Sequence, residues 1–445
     1  MSFPITLDSP IRFPGPLPEA ADVVVLGGGI IGVMTALYLA QAGQKVVLCE
    51  KGRIAGEQSS RNWGWIRRQG RDKDELPIVV ESLRLWRGFA DHFGDALGFR
   101  QTGVIYLANS DAALEQYEAF LPHAAAQGVD TRLMARCEIQ SLLGTSGPWK
   151  GAMYTPSDAR AEPWAAVPLL AGLAAEAGAT IAEQCAIRAL DVQAGALVGV
   201  FTEQGRIRAS RVVVAGGAWS RLFLAAHGIV IPQLSVLASV AQTVPLPEVF
   251  AGGATDSHFA FRRRMDGGYT LAPGSEHDFF IGPDAFKSFS RYLGILKQDF
   301  RSTHFRPMAP VGYPDAWGTP RNWGDGPSPF EATRLLDPKP NRASLSRAQD
   351  RFAEAFPALG RPQIKTAWAG MIDTMPDVVP VVDHAPIAGV TIATGMSGHG
   401  FGIGPGMGRV LADLVMGRPT GHDLSRFRLS RFQDGTKARV GPALA

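Results

Sequence analysis

The chain has 445 residues, with 44 lysines and arginines against 41 acidic residues and a formal net charge of +3. That length exceeds a comfortable single core and implies two domains able to bury a large cofactor, while the absence of a long basic run argues against binding nucleic acid or an anionic membrane. Cys49, Cys137 and Cys185 lie far apart with no CxxC pair and no histidine at ligand spacing, which excludes a disulfide framework and a metal site.

In chain order, residues 1–20 hold several prolines and no basic start followed by an apolar core, unlike a secretion signal, so the cytoplasm is the expected location. Val23 to Gly43 is uncharged and long enough to cross a bilayer. Gly27, Gly28 and Gly29 would interrupt a spanning helix, however, and are what a strand turning abruptly into a helix uses. Val23 to Leu26 therefore reads as a strand, Ile30 to Ala42 as a helix stopped by Gly43, and Lys45 to Cys49 as a second strand. In this βαβ unit Gly27, Gly29 and Gly32 form GxGxxG, in which the glycines allow a tight turn, close approach of backbone to a pyrophosphate, and packing of the helix on the sheet. Ile30 opens the helix, whose free amides face the phosphates. Glu50 ends the second strand, eighteen positions after Gly32, where a carboxylate accepts from both hydroxyls of a ribose and disfavours a 2'-phosphate.

The polar loop GEQSSRNWGW, residues 56–65, follows directly. Glu162 to Ala177 reads as an amphipathic helix opened by Pro163 and closed by Gly178, and Leu197 to Thr202 and Arg211 to Val214 as strands. From Leu234 to Asp337 short alternating runs such as Ser257 to Phe261 and Tyr269 to Leu271 replace helical spacing, which marks a second domain. Within it residues 284–301 carry a stripe of Phe286, Phe289, Leu293, Leu296 and Phe300 beside basic residues, expected to pack in the core or between oligomer subunits rather than on a membrane. Asp373 and Asp377, near prolines, are expected to form turns. Two glycine-rich segments, Val212 to Ser220 and Gly395 to Gly408, return late in the chain; the second opens a helix through Leu411, Leu414 and Met416. FAD, longer than NAD, commonly takes contacts from such late segments, and amides at that helix start suit the negative charge of a reduced flavin.

The stretches EKGRIAGEQSSR, VVVAGGAWSRLF, the SPFE segment near Leu335 and WAGMIDTMPD together resemble the glycine and D-amino-acid oxidase superfamily of flavoproteins, from Ala21 to about Gly417. The first half is similar to bacterial L-amino acid deaminases, and KTAWAG resembles sarcosine oxidases. The resemblance implies an α/β fold: a Rossmann-type FAD-binding domain (1–92, 159–224 and 343–445) interleaved with a mainly antiparallel β-sheet substrate domain (93–158 and 225–342), with a helical insertion about 283–330. It implies that Gly27, Gly29, Ile30 and Gly32 hold the pyrophosphate, Glu50 and Lys51 the ribose, and Gln58, Ser59, Ser60 and Arg61 the phosphates or flavin edge. Backbone near Ala186 and Ile187 would meet adenine, Gly216, Gly217 and Trp219 would line the cofactor, and Gly370, Gly398, His399, Gly400, Phe401, Gly402 and Ile403 would close over the isoalloxazine. Arg262, ahead of Asp266 and Gly267, occupies the place of the deaminases' carboxylate-binding arginine. Trp65 takes the place of a pocket-lining residue, and His399 either contacts substrate or flavin or donates to backbone.

The departures carry equal weight. Ala367 stands where sarcosine oxidases bind flavin through a cysteine, so FAD is expected to be non-covalent. Residues 267–274 have no oxygen-activating lysine, which leaves oxygen or a quinone as acceptor, and Gly402 replaces a lysine that contacts the substrate carboxylate. The membrane-targeting start of the deaminases is not carried over, although peripheral inner-membrane association and homo-oligomers stay open. The implied reaction is oxidation of the C–N bond of a small amino acid or an N-substituted glycine, sarcosine- or iminodiacetate-like, by hydride transfer from Cα to flavin N5, giving an imine that hydrolyses. An NAD-dependent dehydrogenase and an electron-transfer flavoprotein subunit are the alternatives. Arg67, Arg68 and Arg71 offer a second anionic contact, which would suit a dicarboxylic substrate.

Overall fold

The computed structural model describes residues 3–145, 147–300, 302–324, 326–436 and 439–441. Its first layer is a six-stranded sheet in the order Val381–His384, Val390–Thr394, Val212–Val214, Val23–Leu26, Val46–Cys49 and Thr180–Ala182. All neighbours run parallel except the first pair. The βαβ reading of Val23 to Gly43 holds: a four-residue strand turns into a twelve-residue helix, Ile30–Gln41. That helix is apolar all round because it packs against the sheet and against the helices Gly400–Val415 and Pro163–Glu176. Among the described residues no helix is long and apolar enough to cross a membrane.

The second layer is a ten-stranded, mainly antiparallel sheet. Its longest pairing joins Leu234–Thr243 to Ile364–Thr374. The latter strand lies in 343–445, the stretch expected in the FAD-binding domain, and its backbone pairs into the ten-stranded sheet. It brings Gly370 and Asp373 to a wall that elements of the parallel sheet also line, so the two sheets share one cavity. A separate three-stranded meander, Ile187–Gln193, Ala196–Thr202 and Gly205–Arg208, flanks the parallel sheet.

The expected stripe on 284–301 lies on the helix Pro283–Asp299; Leu296 packs against a small core cluster, but the other members do not face the core. Phe286, Phe289 and Leu293 are 65%, 59% and 45% exposed, and Phe300 just beyond is exposed as well. The opposite face turns inward, because the buried Tyr292 hydroxyl accepts from Leu234 N and turns its single hydrogen to the carbonyl of Thr374 at 2.7 Å or of Pro232 at 2.9 Å. These polar contacts fix the rotation of the helix against its apolar periodicity.

Candidate active site

A cavity with about 1790 Å³ of empty space, its open mouth included, begins at the carboxyl ends of the parallel strands and runs to the large sheet. Its wall at the first strand is shaped by glycine. Gly27 has φ +108, and a Cβ there would sit 2.5 Å from the Ala215 carbonyl oxygen. A Cβ on Gly32 would lie 2.0 Å from the Gly27 oxygen, so Gly32 packs helix on turn and does not itself reach the cavity. Gly29 and Ile30 line it, and Ile30 N at the helix start donates to Ser59 Oγ at 2.9 Å. Glu50 takes the amides of Gly28 and Gly52, both at 2.7 Å. Burial pushes its carboxyl up to about 7, against the pull of Lys51 and those two amides.

Along the opening loop, Gln58, Ser59 and Arg61 line the cavity, whereas Ser60 is buried behind it. The Arg61 guanidinium serves the fold: it donates to the carbonyls of Gly56 and Ala369 and pairs with Asp337 at 2.5 Å. Lys51 holds Glu57 and the Thr333 carbonyl and lies 4.3 Å above the Trp219 ring, whose Nε1 also donates to Glu57. Ile187, Gly216, Gly217 and Trp219 belong to the wall, and Ala186, one residue off it, donates to Glu203. These residues fit the adenosine and pyrophosphate parts of FAD: a cradle without Cβ atoms, a helix amide start, and a strand-end carboxylate.

The far end mixes polar and aromatic side chains. Trp63, Trp65, Arg67, Arg71, Gly370, Gly398, Gly400 and Phe401 line it, while His399, Gly402 and Ile403 stand behind. Gly402 cannot carry a contact into the cavity, since its carbonyl is taken by Ser82 Oγ and Trp86 Nε1 and its Cα faces Trp65 and Ile66 backbone. His399 Nδ1 meets Glu75 Oε2 at 3.0 Å, and both side chains are buried. Burial, with Arg71 and Arg67 nearby, holds the imidazole well below its usual range, so it is neutral; its Nε2 has no partner. Burial lifts the Glu75 carboxyl to about 7 even though Arg71 and Arg67 pull it down. Arg71 is 4% exposed, its NH1 has no hydrogen-bond partner, and burial followed by the charge of Arg67 lowers its pKa to about 9. Trp65 Nε1 is a second buried donor without a partner.

Arg262 lies elsewhere. It is fully buried and off the cavity wall, with NH1 and NH2 on the two oxygens of Glu162 at 3.0 and 2.9 Å and Nε on the Trp63 carbonyl at 2.5 Å. Thr270 Oγ1 and the Arg263 carbonyl complete its partners. The carboxylate expected from a substrate is supplied by Glu162. Arg68 is likewise closed on Asp158, Nε to Oδ1 at 3.0 Å, which leaves Arg67 and Arg71 as the members of that trio facing the cavity.

Asp373 was expected in a turn and instead lies buried in a strand, where it accepts from Gly395 N at 2.7 Å and Thr394 Oγ1 at 3.2 Å. Gln58 bridges it to the other wall, donating to Asp373 Oδ1 at 3.0 Å and accepting from Ala218 N at 3.2 Å. Asp377 does sit in a turn, and it also holds Arg426 and Arg431. Sequence reasoning missed Glu75, Glu57 and Arg334, all polar anchors of the site region; only Glu57, inside the polar loop, carried any signal. Among the described residues no cluster of three or more metal-ligating side chains occurs.

Known proteins place the chain. It is 30% identical to L-amino acid deaminase from Proteus myxofaciens, whose structure was solved with anthranilate, with 95% of each chain covered and a TM-score of 0.89. The corresponding enzyme of Proteus vulgaris is 29% identical, covers 94% of this chain and 98% of its own, and gives a TM-score of 0.87. Mitochondrial dimethylglycine dehydrogenase of Mus musculus is 24% identical over 96% of this chain. The chain spans about half the length of that relative, 46%. The model of the FAD dependent oxidoreductase family matches residues 22–414, which decides for FAD over NAD. By that match the chain belongs to the DAO family of FAD dependent oxidoreductases.

Proposed function

We propose that the protein oxidises the C–N bond of an amino acid or N-substituted glycine whose carboxylate is held by Arg71. The observation that carries this reading is the orphaned donor Arg71 NH1, on a residue that lines the far end of the cavity. A buried donor without an acceptor costs about 1–3 kcal/mol, more when charged, so it favours a ligand that brings acceptor oxygens. A carboxylate matches a guanidinium in charge and plane. Bound FAD would supply the two-electron oxidation of the carbon beside nitrogen, and hydrolysis of the resulting imine would give an oxo acid and an amine.

The chain's own residues orient and exclude water. Arg71 fixes the carboxylate and hence which hydrogen of the neighbouring carbon is presented. Trp65, Trp63 and Phe401 give the pocket apolar walls. His399, neutral and braced by Glu75, stands behind Gly398 and Gly400 and holds the start of the helix in place. Arg262 enters this reading only indirectly, by fixing the Trp63 carbonyl.

The test is an anaerobic screen of the FAD-loaded protein with L- and D-amino acids, sarcosine and iminodiacetate, read by bleaching of the flavin absorbance. Bleaching by at least one amino or N-substituted amino acid, and by none of the matching amines that lack a carboxylate, is the expected result. Equal bleaching by amines without a carboxylate would overturn the role of Arg71. Readmitting air and assaying peroxide then separates oxygen from a quinone as acceptor.

A further inference from the structure

The starts of two helices meet behind the far end of the cavity. Glu75 immediately precedes the helix Leu76–Phe93 and His399 the helix Gly400–Val415; the two helices pack on each other, and Glu75 Oε2 meets His399 Nδ1 at 3.0 Å. Glu75 is 0% exposed and His399 2%. Neither completes its hydrogen bonding: Glu75 Oε1 and His399 Nε2 have no partner, and among the described residues the carboxylate makes no salt bridge to a lysine or arginine. Neither lines the cavity, but their neighbours do. Arg71, four residues before Glu75, stands on the wall with NH1 unpartnered, and Gly398 and Gly400 stand there on either side of His399.

The pair has a place for one proton. Burial lifts the Glu75 carboxyl to about 7, against the pull of Arg71 and Arg67; Asp377 raises it further and Arg426 lowers it. Asp72, on the turn before the helix, faces Glu75 as well, while Asp377 and Arg426 are paired with each other at 2.8 Å. Burial, with Arg71 and Arg67 nearby, keeps the imidazole neutral. Carboxylate and neutral imidazole together carry one negative charge, which a single proton on either partner removes, so the two titrate as a unit. A ligand carboxylate on Arg71 would add a negative charge beside this unit. Whatever cations surround the site, an added anion raises the proton affinity of a neighbouring acid, and burial limits the screening of that effect.

We infer that the Glu75–His399 pair is a proton acceptor coupled to the substrate site: when a carboxylate settles on Arg71, the pair takes up a proton. In turnover this uptake balances the proton that a substrate ammonium must lose. The N–H bond breaks, the nitrogen keeps its electron pair as a reactive amine, and the site gains no net charge from that step. The inference rests on the proposed hold of a carboxylate by Arg71 and on the C–N oxidation for its purpose, but the uptake itself needs no turnover. Glu75 and His399 act here as positioning residues for charge, since neither touches the substrate.

Calorimetric titration of the FAD-loaded protein with propionate at about pH 8, in HEPES and in Tris, counts the protons through the different ionisation heats of the two buffers. Uptake of about half a proton or more per propionate is expected. Affinity should then fall as pH rises from about 7, by about tenfold per unit at most, and level off above the raised value of the complex. Glu75→Gln, which can still bond to the imidazole but cannot ionise, should bind propionate without uptake and with a flat profile. His399→Gln takes the ring from the carboxylate and should move the uptake to higher pH, which makes the assignment even if Glu75→Gln does not fold. In turnover, the rising limb of kcat/KM against pH should move up by about a unit or more in Glu75→Gln, toward the pKa of the free amine, a change that a merely structural role would not produce. Propionate binding without proton uptake in the unaltered protein, or uptake unchanged in both variants, would overturn the inference and leave the hold by Arg71 standing. No binding of propionate would sink the Arg71 reading and this inference with it, whereas uptake without bleaching by any amino acid would sink only the C–N reading.

Discussion

Arg262 and Glu162 close on each other with two parallel hydrogen bonds of 3.0 and 2.9 Å, across a sequence separation of 100 residues. The resulting pair is buried and anchored further by Trp63, Thr270 and Met265 backbone or side-chain atoms. Removing one partner of such a pair strands the other charge, at a cost of about 3–5 kcal/mol. Arg262→Ala is therefore expected to lower stability by that order and to weaken FAD retention. Arg262→Met combined with Glu162→Met should recover most of the loss. Urea unfolding of the three proteins checks it; a stable Arg262→Ala protein with only a raised KM would return Arg262 to the substrate.

Arg71 behaves in the opposite way. Its NH1 is unbonded and among the described residues no salt bridge holds it, so Arg71→Ala should leave the unfolding midpoint nearly unchanged and FAD bound. Loss of a charge-assisted contact to a carboxylate is worth about 1.5–3 kcal/mol, so KM should rise roughly tenfold or more. Steady-state kinetics on the substrate found by bleaching gives the answer, and an unchanged KM removes Arg71 from the pocket.

The contrast between the two arginines shows what the sequence can and cannot say. The glycine turn is legible because its requirements are local: Gly27, Gly29 and Gly32 fall within one strand-to-helix turn, and Glu50 follows the next strand. The choice between Arg262 and Arg71 is not local. It depends on Glu162 reaching Arg262 from a distant helix start, and on Glu75 turning to His399 over 324 positions. The core alternative for the stripe Phe286, Phe289 and Leu293 fails for a related reason: periodicity defines a face, but the polar contacts of Tyr292 choose which face turns inward. Similarly, the spacing around Ile364–Thr374 marks a strand without saying which of two sheets it joins.

Glycine substitutions separate packing from backbone strain. Gly32→Ala puts a methyl 2.0 Å from the Gly27 carbonyl oxygen, a backbone atom that cannot swing away. A loss of at least 1–3 kcal/mol, of the order seen for overpacking, is expected together with loss of FAD from the purified protein. Gly43→Ala is the control: at φ +79 it strains the backbone by about 1 kcal/mol, but no atom lies within 4 Å of the new methyl. The Gly43 variant should keep its flavin spectrum, and a colourless Gly43 variant would contradict this account of the turn.

Glu50 makes cofactor affinity depend on pH. In the free protein burial raises its carboxyl from 4.5 to about 7. A protonated acid is itself a donor and competes with the ribose hydroxyls, whereas the carboxylate accepts from them, so binding favours the ionised form and releases a proton. FAD affinity should therefore climb by up to tenfold per pH unit as pH rises toward 7, and level off above it. The sign for the cofactor-free fold is the reverse. A folded value above the unfolded one means that the folded state holds the proton more tightly, so this group's contribution to stability is fully present below about 4.5 and is lost as pH rises to about 7. Adding FAD should offset that loss at neutral pH. Fluorescence titration of the apoprotein with FAD from pH 5.5 to 8.5 measures the first effect, and Glu50→Gln, which cannot ionise, should flatten the profile at a uniformly weaker affinity. A slope that persists in Glu50→Gln would assign the pH dependence to another group.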